Sequence, residues 1–189
     1  LAGLVGDSPR IVLVIAPEQA SDEELELEAM LVRAGYPAMS RHVLANRASA
    51  EHRHLLDQIE QADLVILSAD SPLKLSSLIG GSSLARLLRR RNADGLAVCG
   101  IAAGAAVLCE HMLASGSQGA TPRVGGASLA PGLGLTNRVV IDQGGHASDR
   151  LGRLLAALAL NPFALGLGID TLTAAVIGSD NAIDVIGSG

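Results

Sequence analysis

The chain has 189 residues and a formal net charge of −5, which excludes a nucleic-acid-binding protein, since such a surface must be rich in Lys and Arg. Hydrophobic residues make up 49% of the chain, with one Tyr, one Phe and no Trp, so we expect an aliphatic, well-packed core. This length suits a single α/β domain over residues 1–189. The longest apolar stretch, residues 154–169, contains Asn161-Pro162 and falls short of the ~20 residues that span a membrane. We therefore expect a soluble protein without a membrane partner.

Short apolar runs rich in β-branched residues predict buried strands, and apolar residues three or four apart predict helices. In chain order, the predicted strands are residues 10–16, 42–45, 63–68, 96–101, 138–142, 165–170 and 173–177. The predicted helices are residues 21–34, 48–61, 84–91, 104–111 and 150–160, with a long loop at 115–135. Ser21 and Glu24 form a capping-box pattern at the start of the first helix. This alternation predicts a mostly parallel sheet with helices on both faces.

The cysteines and the single basic run carry little functional signal. Cys99 and Cys109 form no disulfide framework and lack metal-ligand spacing, so we expect a reduced, cytoplasmic protein without a cofactor or metal. The run Arg89–Arg91 is expected in the last turn of a helix, where cations interact favourably with the helix dipole. A phosphate site at these arginines is the alternative.

The segment from the fourth predicted strand into the next helix is the most informative. Residues 100–105 read G-I-A-A-G-A, and small residues between a strand and a helix are typical of a nucleophile elbow. At such an elbow a Ser or Cys is raised above the sheet, whereas Ala102 stands there. A tight strand–helix junction without any catalytic history is the other interpretation. Cys99 is a poor candidate nucleophile, because Ile101 occupies the position where its turn would need a small residue.

Several motifs together resemble the cyanophycinase/peptidase E family of serine peptidases. Residues 100–105 match the family's G-x-S-A-G-A, and residues 131–135 match its P-G-L-G-L. Asp142-Gln143 matches the start of D-Q-H-F, and arginines follow that Asp at the family's two spacings, at Arg150 and Arg153. Residues 168–170 match the beginning of G-I-D-E-x-T-A. The resemblance extends over nearly the whole chain.

The resemblance implies a three-layer α/β sandwich of the class I glutamine amidotransferase-like (flavodoxin-like) type. It also implies a Ser-His-Glu triad that cleaves peptide bonds after aspartate, in cyanophycin or in Asp-X dipeptides. The three triad positions fall on Ala102, Gly144 and Thr171, and the family's G-G-x-Q loop is replaced by A-D-S-P at residues 69–72. Because each triad member acts only with the others, we interpret the chain as a pseudoenzyme. His146 does not substitute for the lost histidine, since aligning it there would spoil the arginine spacing.

In the family, the positions of Asp142, Gln143, Arg150 and Arg153 surround the substrate pocket. Arg150 and Arg153 share a helix face in a first turn, where cations are unfavourable for the helix dipole. Two explanations remain open. The arginines form a remnant anion site, or they form a structural salt bridge to Asp142 or Asp170.

These observations leave two hypotheses of different classes. The first is a non-catalytic structural or binding subunit that forms a homodimer or a hetero-oligomer with an active relative. The second is a hydrolase of cyanophycin or aspartyl peptides that uses unrecognised residues. The oligomer is suggested by residues 154–160, which carry no polar side chain and must be buried inside the domain or against another chain. The resemblance adds support, because cyanophycinases are dimers.

Overall fold

A parallel four-stranded sheet forms the centre of the fold in the computed structural model, which describes residues 5, 6, 8–16, 22–143 and 149–188 and only the backbone of 22–26. The strands are β1 (Ile11–Ala16), β2 (Met39–Val43), β3 (Leu64–Ala69) and β4 (Ala97–Ala102), in the order β2-β1-β3-β4. All pairs are parallel. Every residue of β1 is buried, as expected for an aliphatic strand covered on both faces.

Helices cover both faces of this sheet. Alternate residues of β1 point in opposite directions, so Val12 and Val14 pack in one hydrophobic cluster while Leu13 and Ile15 pack in another. The first cluster contains side chains of α2 (Arg53–Gln61), α3 (Pro72–Ile79) and α4 (Ser83–Ala93). The second contains Leu27 and Leu31 of α1 (Asp22–Arg33). The predicted α/β class, with a mostly parallel sheet between helical layers, is confirmed.

The second half of the chain adds strands that pair in twos rather than joining the four-stranded sheet. The elements are α5 (Ala103–Val107), β5 (His111–Gly116), β6 (Ala127–Pro131), β7 (Val139–Gln143), α6 (Leu151–Leu160), β8 (Leu165–Ile169), β9 (Thr173–Ile177) and β10 (Ile183–Gly187). β7 and β8 are parallel, whereas β5 pairs with β6 and β9 with β10 in antiparallel hairpins. None of the helices in the described ranges is long and apolar enough to cross a bilayer.

Six of the seven predicted strands are confirmed. The remaining strand, two of the predicted helices and the predicted long loop need correction. The strand expected at 42–45 is β2, which begins three residues earlier, at Met39. The helix expected at 104–111 ends at Val107, and the loop expected at 115–135 contains β6 and the end of β5. The helix expected at 48–61 is a 3₁₀ turn (Arg47–Glu51) followed by α2, with extended backbone at His52 between them. The Ser21 cap lies outside the described residues.

Four elements were not predicted: α3, β5, β6 and β10. The start signal of α3 is present in the sequence, since the Ser71 hydroxyl accepts a hydrogen bond from Lys74 N at 3.3 Å and Pro72 occupies the first turn. The strands β5 and β6 contain no β-branched residue, and their register shifts between Leu113 and Ser115. Their extended conformation therefore depends on pairing rather than on local propensity.

Candidate functional site

Ala102 lies at a sharp junction where β4 passes into α5 without a linker. It has φ 50° and ψ −127°, a conformation that is strongly disfavoured for any residue other than glycine. Its methyl group is exposed, and the helix begins at the next residue, Ala103. The turn has the geometry that the sequence predicted for a nucleophile elbow, and it presents a side chain without a functional group.

Two glycines hold this turn in place by close backbone packing. A Cβ added to Gly104 would lie 2.2 Å from the carbonyl oxygen of Leu67 in β3, and one added to Gly100 would lie 2.5 Å from Ala105 N. Contacts below 3.0 Å cannot be accommodated without moving backbone. The junction is therefore packed directly on the neighbouring strand, and this packing maintains the strained conformation of Ala102.

Replacing Ala102 by glycine should stabilise the protein, because glycine adopts positive φ without steric cost. Such strain costs on the order of 1–3 kcal/mol, and the greater chain entropy of glycine offsets part of the gain, so we expect a net increase of about 1 kcal/mol. Urea unfolding of Ala102→Gly measures the change. The matched control, Ala106→Gly in the buried middle of α5, should lose about 1 kcal/mol instead. An Ala102→Gly variant as destabilised as this control would show that the turn is unstrained.

Asp142 and Arg153 form a buried ion pair beside this end of the sheet. Asp142 is the fourth residue of β7, and Arg153 is in the first turn of α6. Arg153 Nε donates to Asp142 Oδ2 at 2.7 Å, and its Nη2 donates to Oδ1, so the contact is bidentate. The side chains are only 16% and 4% exposed for Arg153 and Asp142, respectively. Of the two explanations considered for the arginines, the structural salt bridge holds for Arg153, with Asp142 as its partner.

Arg150 is held differently, and it lies on the wall of a small cavity. Its Nη1 donates to the backbone carbonyl of Gln143, a neutral acceptor that does not compensate the guanidinium charge. The cavity has a volume of about 170 Å³. Its walls come from the ends of β3 and β7, from β5 and from the start of α6, and are formed by Asp70, Pro72, Leu113, Ala114, Ser115, Asp142, Gln143, Arg150 and Arg153. Polar groups from several elements therefore converge at the carboxyl end of the parallel strands, where α/β proteins bind ligands.

The cavity contains the four predicted binding residues but not all of the predicted triad positions. Ala102 and Thr171 lie outside the group of described residues that line it. Thr171 is exposed after β8, where its backbone N–H donates to Asp170 Oδ1 at 2.9 Å. Gly144 and His146 fall outside the described residues. Asp70 and Pro72 belong to the segment 69–72, which the resemblance aligns with a family loop that lines the active site, whereas sequence reasoning missed Ser115.

Neither cysteine has the environment of a nucleophile. Cys99 is on β4 and packs among apolar side chains of the sheet. Burial raises the pKa of the Cys99 thiol, and it raises the pKa of Cys109 to about 11. Both cysteines are free thiols. At neutral pH neither provides appreciable thiolate, the reactive form of cysteine.

The basic run Arg89–Arg91 ends α4 as predicted, and each of its members is engaged with the protein. Arg89 Nε donates to the Leu133 carbonyl, Arg90 pairs with Glu60 at 2.5 Å, and Arg91 Nη2 donates to the Ala62 carbonyl at 3.1 Å. These contacts tie α4 to neighbouring segments, which gives the run a structural role.

This combination of a parallel α/β sheet, a strand–helix elbow and a polar cavity at the strand ends defines a hydrolase-type fold, and sequence comparison identifies the family. Residues 31–185 match the model of peptidase family S51. The chain belongs to this family, the cyanophycinase/peptidase E family. It is 35% identical over 147 residues to a cyanophycinase of Trichormus variabilis, a match that covers 77% of this chain and 49% of that protein. It is 36% identical over 145 residues to a cyanophycinase of Geminocystis herdmanii, covering 76% and 53%.

Solved structures support the same fold. A peptidase from an acI-B1 Actinobacterium superposes with a TM-score of 0.66 at 20% identity, covering 94% of this chain and 74% of that one. A putative peptidase E protein from Listeria monocytogenes EGD-e gives a TM-score of 0.64 at 10% identity, covering 94% and 86%. The matched chain spans about half the length of the curated cyanophycinases.

Proposed function

We propose that this S51-family chain is a non-catalytic homologue that acts as a structural or binding subunit. The observation that carries the proposal is Ala102, whose methyl group occupies the raised position of the elbow. An acyl-transfer mechanism needs a nucleophile there, and a methyl group cannot attack a carbonyl. The alternative, a hydrolase of cyanophycin or aspartyl peptides, is favoured by the family and requires a nucleophile elsewhere. The free thiols Cys99 and Cys109 are compatible with the cytoplasm, where we place the protein.

The binding function that we propose uses the cavity beside Arg150. Asp142 compensates Arg153 within the wall, whereas the hydrogen-bond acceptor of Arg150 is an uncharged carbonyl. A guanidinium matches the planar geometry of a carboxylate and binds it through paired N–H groups. The volume of about 170 Å³ accommodates a small carboxylate such as an aspartyl side chain. The ligand class that best fits the site is therefore a carboxylate-bearing small molecule or peptide.

Thermal unfolding tests this site. Citrate or an Asp-X dipeptide at about ten times its Kd should stabilise the protein by about 1.4 kcal/mol, which raises Tm by about 3–6 °C in a domain of this size. Arg150→Ala should abolish the rise. Arg53→Ala, which removes a 94% exposed arginine outside the cavity, should retain it. A Tm that does not respond to either ligand, or a response that survives in Arg150→Ala, would refute the anion site while leaving the absence of catalysis untouched.

We also propose that the protein self-associates through the outer face of α6. The inner face is buried through Gly152, Leu154 and Ala157, but Leu151 and Leu155 remain 45% and 40% exposed. The helix is thus not buried inside the fold on all sides. Leu160, the last residue of the helix, is also exposed, and exposed apolar residues continue beyond it at Phe163 and Leu165. The segment 154–169 carries no charge, so two copies related by a twofold axis could meet without like-charge repulsion.

Light scattering at micromolar concentration should therefore show a dimer or a larger assembly. Leu155→Glu should shift it to monomer, because a carboxylate at the contact would have to be desolvated. Leu73→Glu is the matched control, since Leu73 is a similarly exposed leucine (49%) on α3, and it should leave the assembly intact. A wild-type protein that is monomeric over this concentration range would rule out self-association through α6.

A further inference from the structure

Two imidazoles and an amide converge between the edge strand β2 and helix α2, two elements that contribute no residue to the cavity beside Arg150. The ring centroids of His42 and His54 lie 5.6 Å apart with an interplanar angle of 57°. His42 Nε2 lies 2.5 Å from Gln58 Oε1. His54 and Gln58 are four residues apart in α2, so they occupy the same face of that helix, opposite His42. All three donors belong to elements that the family resemblance leaves without a role.

The separation of the rings matches that of two imidazoles bound to one metal ion. A metal–nitrogen distance of about 2.1 Å, with the ring nitrogen about 1.1 Å from the ring centre, places two tetrahedrally arranged ring centres roughly 5.2 Å apart. The observed distance of 5.6 Å between the ring centres is close to this value, and a small rotation of either side chain would remove the difference. Gln58 Oε1 already lies beside the donor nitrogen of His42 and is placed to act as a third ligand or to position a bound water.

The charges around this group permit a cation. Arg41, the neighbour of His42 in β2, points to the opposite face of the strand, where its Nε lies 2.9 Å from Glu28 Oε1. Arg53, the neighbour of His54, is 94% exposed and lies 3.8 Å from Asp57 Oδ2. The described residues contain no group of three or more His, Cys, Asp or Glu side chains arranged for a metal, so a hard cation such as Mg²⁺ or Ca²⁺, which needs several oxygen ligands, does not fit.

We propose that His42, His54 and Gln58 form a surface site for a divalent first-row transition metal ion of the imidazole-preferring class, Zn²⁺, Ni²⁺ or Cu²⁺. Two imidazole nitrogens and the Gln58 oxygen bind the ion, and water completes its coordination. The hydrogen bond from His42 to Gln58 fixes the ring before the ion arrives, with the proton then moving to Nδ1. The bound ion ties edge strand β2 to α2, so it stabilises the folded chain by mass action.

The test uses the untagged protein at neutral pH with Zn²⁺ and with Ni²⁺, followed by calorimetric titration and by thermal unfolding. One ion should bind per chain and raise Tm. His42→Ala and His54→Ala should each weaken binding by more than the roughly 10–100-fold that loss of an outer partner costs, and should remove the Tm rise. His111→Ala, at an exposed histidine on β5, is the matched control and should change neither.

All three histidine variants replace side chains outside the fully buried core, and their far-UV circular dichroism should match that of the wild type. Gln58→Leu should weaken binding less than either histidine variant. Absence of binding by the wild type, or binding that persists in both His42→Ala and His54→Ala, would overturn the proposal.

Discussion

The purified protein should leave cyanophycin, Asp-X dipeptides and activated esters uncleaved. A complete serine triad contributes about 10⁶-fold to kcat, and a chain with a methyl group at Ala102 lacks its first requirement. An active cyanophycinase assayed on the same substrates is the positive control. A fluorophosphonate probe, which labels activated serines, should leave this protein unmodified. Stoichiometric labelling or a turnover approaching that of the active enzyme would end the proposal of a non-catalytic role.

The variant Ala102→Ser makes this experiment sharper. It restores a hydroxyl on a backbone that already has the required turn, at φ 50° and ψ −127°. We expect it to stay inactive, because a serine without a general base is a weak nucleophile, and the family resemblance places the other two triad positions on Gly144 and Thr171. Recovery of activity by this single change would show that a base survives elsewhere in the site.

Removing Arg153 should produce the largest loss of stability of any single change discussed. Arg153→Ala leaves the carboxylate of Asp142 buried without its bidentate partner, and breaking a buried pair in this way costs about 3–5 kcal/mol. Urea unfolding gives the difference. Arg53→Ala is the control: it removes a 94% exposed arginine 3.8 Å from Asp57, and such surface pairs contribute about 0–1 kcal/mol.

A double variant keeps this prediction testable even if Arg153→Ala does not fold. Asp142→Leu combined with Arg153→Met replaces both charges by apolar groups, and such replacements are often neutral or stabilising. The double variant should therefore be more stable than Arg153→Ala by several kcal/mol. Additive losses, with the double variant the least stable, would show that the two side chains do not act as a pair.

The sequence predicted β1 and β3 well because these two strands are buried on both faces, whereas the start of the partly exposed edge strand β2 was misplaced. A strand such as β1, with six aliphatic residues in a row, can be predicted from its composition alone. The antiparallel pair β5–β6 could not be predicted in this way, since Ser115, Gly116 and Ser128 have no preference for extended backbone and take it up only through pairing. The helix α3 was missed although Ser71 and Pro72 signalled it, because the segment was interpreted as a replaced family loop.

The candidate site was predicted in its residues but not in its contacts. The spacing of Arg150 and Arg153 relative to Asp142 located both arginines at the cavity, but spacing alone could not decide which of them pairs with the carboxylate. That choice depends on α6 being positioned against β5, where a Cβ on Gly116 would lie 2.8 Å from Arg153 Cβ. Ser115 lines the cavity because it lies on β5, a strand that the sequence did not predict.

The turn at Ala102 also affects how the sequence of such a protein can evolve. With Gly104 pressed against the Leu67 carbonyl, the turn cannot relax unless β3 moves, and β3 lies at the centre of the sheet. The shape of the elbow is therefore inherited with the architecture, whether or not a reaction depends on it. A designer who wished to install new chemistry would find the backbone conformation already in place and would need to supply only side chains. For the same reason, this turn in a related sequence is weak evidence of activity, and the side chain that it raises must be examined first.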